Sequence, residues 1–413
     1  MRILIISSNI EQSNSVGKIA TEMCQFINES GNESHILYFM GKSEAIDHTT
    51  RIRNRYLSSF VYRITQFSEY RFVKSPLAIH KISNFIKNYK PDVIHLIQPL
   101  IRFIDNEGLF KLIGETGIPC VYNMIDENAY LGNCDNAYDC EQFIQGCERC
   151  EGVNEENNNT SKCWKWSKEG CRRVAVNKKK AYDCIKNISF VAPQWVIERA
   201  ESSALLKGKK FYIVDEYVNN IKVYYPRTTD ELCKKYDIDI NKVIITNVAK
   251  YSNPRKGVKY FVQLAKKFEN NDKYLFVNIG YDGPQDNLPS NYKAIPFVAN
   301  QDELAEFYSL ADLAMITSLS DTMPNTSLEA LSCGSPVCGF NITGVPYVAD
   351  EPLGTFVEPR NVDALFEVVK NTEKKTLDIS RKCREYALRR YSPEVSGKRM
   401  LNIYRDMIER GNL

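Results

Sequence analysis

Asp321 and Glu329 are separated by seven residues, in a stretch that reads as strand (311–317), loop (318–324), helix from Asn325, glycine stop at Gly334 and strand again. A helix that starts at the carboxyl end of a parallel strand aims unpaired N–H groups and the positive end of its dipole beyond the sheet, an arrangement suited to a diphosphate. Met323, Pro324, Asn325 and Thr326 therefore form a candidate anion-binding stretch. Glu329, one turn inside the helix, is placed to accept hydrogen bonds from ribose hydroxyls. Thr326-Ser327-Leu328-Glu329 equally fits a capping box, in which Glu329 would reach back to the Thr326 amide.

Cations for such an anion are available at Lys250, Arg255 and Lys256, which follow the apolar run 243–248. A cation beside a leaving diphosphate stabilises the charge that develops there; the alternative for Arg255-Lys256 is a solvated helix start. Asp126 follows another apolar run and is a candidate base, or else a local turn cap. His95, near the carboxyl end of a strand, is a candidate acceptor contact or a packed histidine. The chain holds 13 cysteines, six of them between Cys134 and Cys171. Cys134, Cys140, Cys147 and Cys150 close on a Cys-x2-Cys spacing, which favours a structural four-thiolate zinc site over a catalytic one, with Cys163 or Cys171 able to replace one of the first two ligands; disulfides and free thiols are the alternatives.

The elements that must position these groups alternate between short apolar runs and amphipathic stretches. Strands are expected at 2–7, 35–40, 91–96, 119–123 and 189–192, then at 243–248, 274–279, 294–297, 311–317 and 336–340. Helices are expected between them, as at 17–30, 82–89 and 108–115. That rhythm is the pattern of parallel strands joined by crossover helices, and it breaks at a polar, cysteine-rich insertion over about 127–173. The expected organisation is an α/β chain with a Rossmann-like domain over 1–205 and a second over 206–395. A final helix over 396–413, part of a helical stretch from about 377 to 410, returns to the first domain. At 413 residues the chain is long for a single core. A net charge of +3 with 25% charged residues gives no argument for a nucleic-acid partner. No apolar run approaches the length that spans a bilayer, and with no targeting segment the expected location is cytoplasmic. The basic and aromatic stretch 51–74 suits peripheral contact with an anionic membrane surface, or equally a core-facing stripe with a solvated edge.

Taken together, Asp321 and Glu329 with Ala330-x-x-Cys333-Gly334-x-Pro336-Val337 resemble the donor-site signature of family-4 retaining glycosyltransferases. The run Asn247-Val248-Ala249-Lys250-Tyr251-Ser252-Asn253-Pro254-Arg255-Lys256-Gly257 resembles the family's segment after the first strand of its C-terminal domain. The resemblance covers about 240–395 and is patchier before that. It implies the GT-B fold, two Rossmann-like domains facing a central cleft, and a donor that is a UDP- or GDP-sugar. In the family the second acid holds the ribose and the first faces the donor sugar, which assigns Glu329 and Asp321. Lys256, with Arg255 or Lys250 as partner, would contact the diphosphate, and Gly17 stands where a glycine-rich turn meets the donor phosphate. The Asp-x-x-Pro-Asn-Thr form resembles the branch that builds capsule and exopolysaccharide, which implies a glycan or lipid-linked acceptor. That branch tends to carry His-Asp where this chain has Ile125-Asp126, so Asp126 alone is carried over. The mechanism implied is retention at the anomeric carbon with no catalytic metal. Other classes that fit the sequence are a sugar-nucleotide epimerase of the same fold and a zinc-containing nucleic-acid-binding protein.

Overall fold

The computed structural model describes residues 1–11, 15–41, 47–52, 74–99, 105–137, 140–148, 168–215 and 221–411, with the backbone alone for 168–170. These residues divide into two compact units, one taking the chain up to residue 215 together with 396–411, the other 221–395.

The first unit holds a seven-stranded parallel sheet built from β1 (Arg2–Asn9), β2 (Glu33–Met40), β3 (Thr49–Arg51), β4 (Val93–Ile97), β5 (Cys120–Asn123), β6 (Ile188–Ala192) and β7 (Lys210–Ile213), in the order β3-β2-β1-β4-β5-β6-β7. Every residue of β4, β5 and β6 is buried. Burial on both faces is why these strands read as unbroken apolar runs rather than alternating ones. The second unit repeats the scheme with six parallel strands: β8 (Val243–Val248), β9 (Tyr274–Ile279), β10 (Tyr292–Ile295), β11 (Leu313–Ile316), β12 (Val337–Phe340) and β13 (Gly354–Val357), in the order β10-β9-β8-β11-β12-β13. In both sheets the first strand lies inside, with later strands added to one side and then the other. The connections therefore diverge above β1/β4 and above β8/β11, the crevices where open parallel sheets take ligands.

Three expectations change. β7 joins the first sheet, so the first domain runs past residue 205. The basic stretch 377–410 is two helices, Leu377–Tyr391 and Pro393–Gly411, because Pro393 donates no helix hydrogen bond and holds Ser392 extended at φ −65°, ψ 147°. The strand expected at 294–297 is Tyr292–Ile295, one pleat earlier.

The last helix is the seam of the first unit. Met400, Leu401, Ile403, Tyr404 and Met407 are buried in one core with Ile3, Ile5, Val93, Ile97 and Val121 of β1, β4 and β5. The Tyr404 hydroxyl lies 2.7 Å from His95 Nδ1, the Met407 carbonyl accepts from Asn187 Nδ2 at 3.1 Å, and Asp406 pairs with Lys210 at 3.2 Å and with the Tyr212 hydroxyl. Tyr404→Ala removes both a buried ring and a buried hydrogen bond, and urea denaturation of the first unit's transition should show a loss of about 3–5 kcal/mol. A loss below about 1 kcal/mol would mean the helix only lies on the unit without holding it.

Candidate functional site

The loops that follow β8 and β11 are zipped together. Asn247 Nδ2 donates to the Met315 carbonyl at 2.9 Å, Thr317 Oγ1 to the Lys256 carbonyl at 3.0 Å, and the Leu319 amide to the Arg255 carbonyl at 2.8 Å. Gly257 makes the approach possible: at φ 63° its missing Cβ would stand 2.0 Å from the Thr317 carbonyl oxygen. The zipper brings Arg255 and Lys256, in the short turn Pro254–Lys256, onto Asp321. Arg255 Nη1 lies 2.8 Å from Asp321 Oδ1, and Lys256 Nζ lies 3.0 and 2.9 Å from Oδ1 and Oδ2. Arg255 also donates to the Ser320 carbonyl. Asp321 is 8% exposed. Burial acts to raise its carboxyl, but Lys256 and then Arg255 outweigh this and hold it below the ordinary carboxylate value. Lys250 takes no part; its ammonium stands 5.6 Å from the centre of the Phe297 ring.

The helix Asn325–Ser332 starts four residues beyond Asp321, with Pro324 in the capping position and no side-chain cap. Thr326 is therefore inside the helix, and the capping box does not form. Glu329 instead accepts a hydrogen bond from the Tyr308 hydroxyl at 2.9 Å, with 8% of its surface exposed. In the helix's first turn, Asn325 Oδ1 and Ser327 Oγ are enclosed without a hydrogen-bond partner. Such groups cost about 1–3 kcal/mol each unless something supplies the partner. Met323, by contrast, is a core residue, packed in one cluster with Leu328 and Tyr308, and Pro324 is buried.

Other candidates fall elsewhere. Gly17 lies in the first turn of Ser15–Glu29, where a Cβ would meet the Glu11 carbonyl oxygen at 2.3 Å and the Ile10 carbonyl carbon at 2.5 Å. Its glycine identity answers to the chain's own backbone. His95 has no exposure, and burial pushes its imidazole down to about 3. Held neutral against Tyr404, it is a packed histidine and not an acceptor contact. Ile125, where the branch tends to have His, is partly buried against the first unit's core.

Asp126 is a cap and more. It accepts from the Asn128 amide at 3.0 Å, capping the turn Glu127–Ala129, and from Gln98 Nε2 at 2.8 Å. Asn128 also donates from Nδ2 to Asp135 Oδ1 at 2.7 Å. The ammonium of Lys178, 1% exposed, donates to the carbonyls of Asn128, Leu131 and Gly132 at 2.5, 2.9 and 2.8 Å and to Asn128 Oδ1 at 3.0 Å. Reading the sequence missed Lys178, because Lys178-Lys179-Lys180 looks like a solvated basic face. Its i, i+4 spacing from Val174 and Tyr182, both buried, was the signal. Of the expected zinc ligands, Cys150 lies outside the described residues. Cys147 is buried and accepts from the Gly132 amide at 3.2 Å, Cys134 is half-buried and Cys140 is exposed. Among the described residues no three Cys, His, Asp or Glu side chains come together as a metal site. Of the stretch 51–74, only 51, 52 and 74 are described.

The second unit's geometry coincides with what other proteins show. Residues 242–373 match the family described as Glycosyl transferases group 1. The chain is thus similar to the group 1 glycosyl transferases. An N-acetyl-alpha-D-glucosaminyl L-malate synthase of Bacillus anthracis is 28% identical over 159 residues, which is 36% of this chain and 40% of that protein. An N,N'-diacetylbacillosaminyl-diphospho-undecaprenol alpha-1,3-N-acetylgalactosaminyltransferase of Campylobacter jejuni is 22% identical over 218 residues, 49% of this chain and 56% of that protein. The chain thus spans about half the length of these curated relatives. The solved structure of Anabaena Alr3699/HepE in complex with UDP superposes with a TM-score of 0.65 over 98% of this chain and 100% of that one, at 15% identity. The fold is the GT-B type, two parallel-sheet Rossmann-like domains. Among the described residues no helix is long and apolar enough to cross a membrane.

The Asp126 network sets a pH signature. Burial first, and Asp135 next, push its carboxyl up to about 6 from an ordinary 3.8. Between those values the folded state holds a proton that the unfolded chain releases, so stability falls as pH rises through the window. Asp126→Asn should therefore be more stable than wild type at about pH 7.5, by on the order of 2 kcal/mol, with no advantage near pH 4. Equal melting shifts at both pH values would show that Asp126 is charged throughout.

Proposed function

We propose that the chain is a retaining glycosyltransferase that moves a sugar from a nucleoside-diphosphate donor to a glycan or lipid-linked acceptor in polysaccharide assembly. The observation that carries the reading is the convergence of Arg255 and Lys256 at the β8/β11 crevice, in front of a helix start with unsatisfied polar groups. Two cations on one carboxylate leave a positive charge in excess, which suits a diphosphate. Glu329 on the same helix takes the ribose, and Asp321 stands toward the donor sugar. The UDP complex of the Anabaena protein supports a nucleotide donor, and the undecaprenol-linked acceptor in the Campylobacter enzyme's name supports a lipid-linked one.

In this mechanism the bond between the anomeric carbon and the β-phosphate oxygen breaks, and its electron pair leaves with the diphosphate. Arg255 and Lys256 stabilise that charge. The acceptor hydroxyl forms its bond on the face the leaving group vacates, and its proton passes to the departing phosphate oxygen. No side chain serves as nucleophile and no catalytic metal takes part. Asp126, with a carboxyl near neutrality, assists the acceptor hydroxyl. The enzyme works on the cytoplasmic face, with peripheral contact to the membrane.

Thermal shifts with UDP, GDP, ADP and CMP test the reading. A nucleoside diphosphate at about a hundred times its dissociation constant adds ~2.7 kcal/mol. One of the series should raise the melting temperature of wild type and lose that effect in Lys256→Ala and Glu329→Ala. No shift with any of them would overturn the donor-site assignment.

A further inference from the structure

Glu329 has to present a carboxylate to two hydroxyls from inside a helix, almost out of reach of water. A glutamate there has three rotatable bonds, and its orientation is set by whatever holds it. Tyr308 in the helix Gln301–Leu310 is 1% exposed and donates its hydroxyl to Glu329 Oε2 at 2.9 Å. The phenol is itself fixed on several sides. Its ring meets the Tyr224 ring edge-on, with centroids 6.0 Å apart. Its backbone carbonyl accepts from Ser335 Oγ at 2.6 Å, and Ser335 in turn receives Lys375 Nζ at 2.7 Å. Burial and the neighbouring Glu329 carboxylate push the phenol well above its ordinary value, so the hydroxyl keeps its proton and stays a donor.

We infer that Tyr308 is a positioning residue for nucleotide recognition: its hydroxyl fixes the plane of the Glu329 carboxylate so that the ribose hydroxyls meet an acceptor already in place. The inference rests on the donor-site reading above and deepens it. The ring supplies the packing and the hydroxyl supplies this bond to a nearly buried acid, so phenylalanine would keep the packing and take this donor away from Glu329. Pre-setting the carboxylate removes the ordering cost that binding would otherwise meet. The benefit falls only on ligands that carry the hydroxyls.

The test is calorimetric titration of the full chain with UDP and with 2′,3′-dideoxy-UDP, and with the GDP pair in parallel, on wild type and Tyr308→Phe. Tyr308→Phe is expected to bind the ribonucleotide about tenfold more weakly, the order of a hydrogen bond to a charged group, while its affinity for the dideoxy compound stays that of wild type. With sugar nucleotide as substrate, KM for the donor should rise while kcat holds. Equal weakening toward both compounds would mean a merely structural tyrosine, and no weakening toward either would mean no role; each overturns the inference. Wild type that binds neither of these ribonucleotides, nor ADP or CMP, would sink the donor-site reading itself, and this inference with it.

Discussion

The ion cluster of Arg255, Lys256 and Asp321 is the constraint on which the second unit's crevice depends. Burying a carboxylate alone costs several kcal/mol, and burying two cations together is no better. Placed within 3 Å of each other, each relieves the other's desolvation, and the balance is one excess positive charge in a region of reduced dielectric. An arriving diphosphate would be attracted by that excess and would compete with Asp321 for the same donors. The carboxylate thus keeps the cations ordered. The geometry leaves little freedom to the backbone: any side chain at residue 257 would collide with the Thr317 carbonyl, separate the two loops and draw Arg255 and Lys256 away from Asp321.

The first unit solves a different problem. The described part of the segment after β5 combines a few buried apolar side chains, Ala129, Tyr130, Leu131 and Phe143, with buried charge. Lys178 fills its donor capacity on three carbonyls and one side chain, and Glu127 accepts from the Tyr130 hydroxyl and the Ala137 amide at 2.7 and 3.2 Å. Asn128 serves two carboxylates from the same turn. Gln98, at φ 45°, is in the left-handed region where non-glycine residues are uncommon, and it spends that strain on a bond to Asp126. The result is a carboxyl raised above its ordinary value by burial and by Asp135.

The alternation of buried runs made the two sheets legible, because parallel strands covered on both faces announce themselves by composition. The strands that escaped were those with mixed burial. β3 has three residues, none buried, and β7 is half-exposed along its length, so neither forms an apolar run. β13 carries partly exposed residues after its glycine. At the site, Asp321, Lys256 and Arg255 were picked out by their resemblance to a family motif, whereas Tyr308 was not. Its hydroxyl acts across two helices, and sequence distance hides a contact that only the packing of Gln301–Leu310 against Asn325–Ser332 creates. His95 was ambiguous for the opposite reason. A histidine near a strand's carboxyl end fits a ligand or a tight core equally well, and here it has no exposure and packs against Tyr404.

That contrast bears on how the two units divide the work. The match to the group 1 glycosyl transferases covers 242–373, the stretch that holds two cations and two acids around a close backbone approach. Such a site tolerates little change, since Gly257 answers to a carbonyl 2.0 Å from its Cβ position and Glu329 to a buried phenol. The first unit is outside that match and carries the cysteine-rich segment, the Lys178 cradle and the Asp126 network. The relatives' names include an N-acetyl-alpha-D-glucosaminyl L-malate synthase and a transferase acting on a diphospho-undecaprenol compound. If those proteins and this chain take their donors alike, the difference between their acceptors must be read by residues outside the shared stretch. In this chain the turn that Asp126 caps is outside the matched residues.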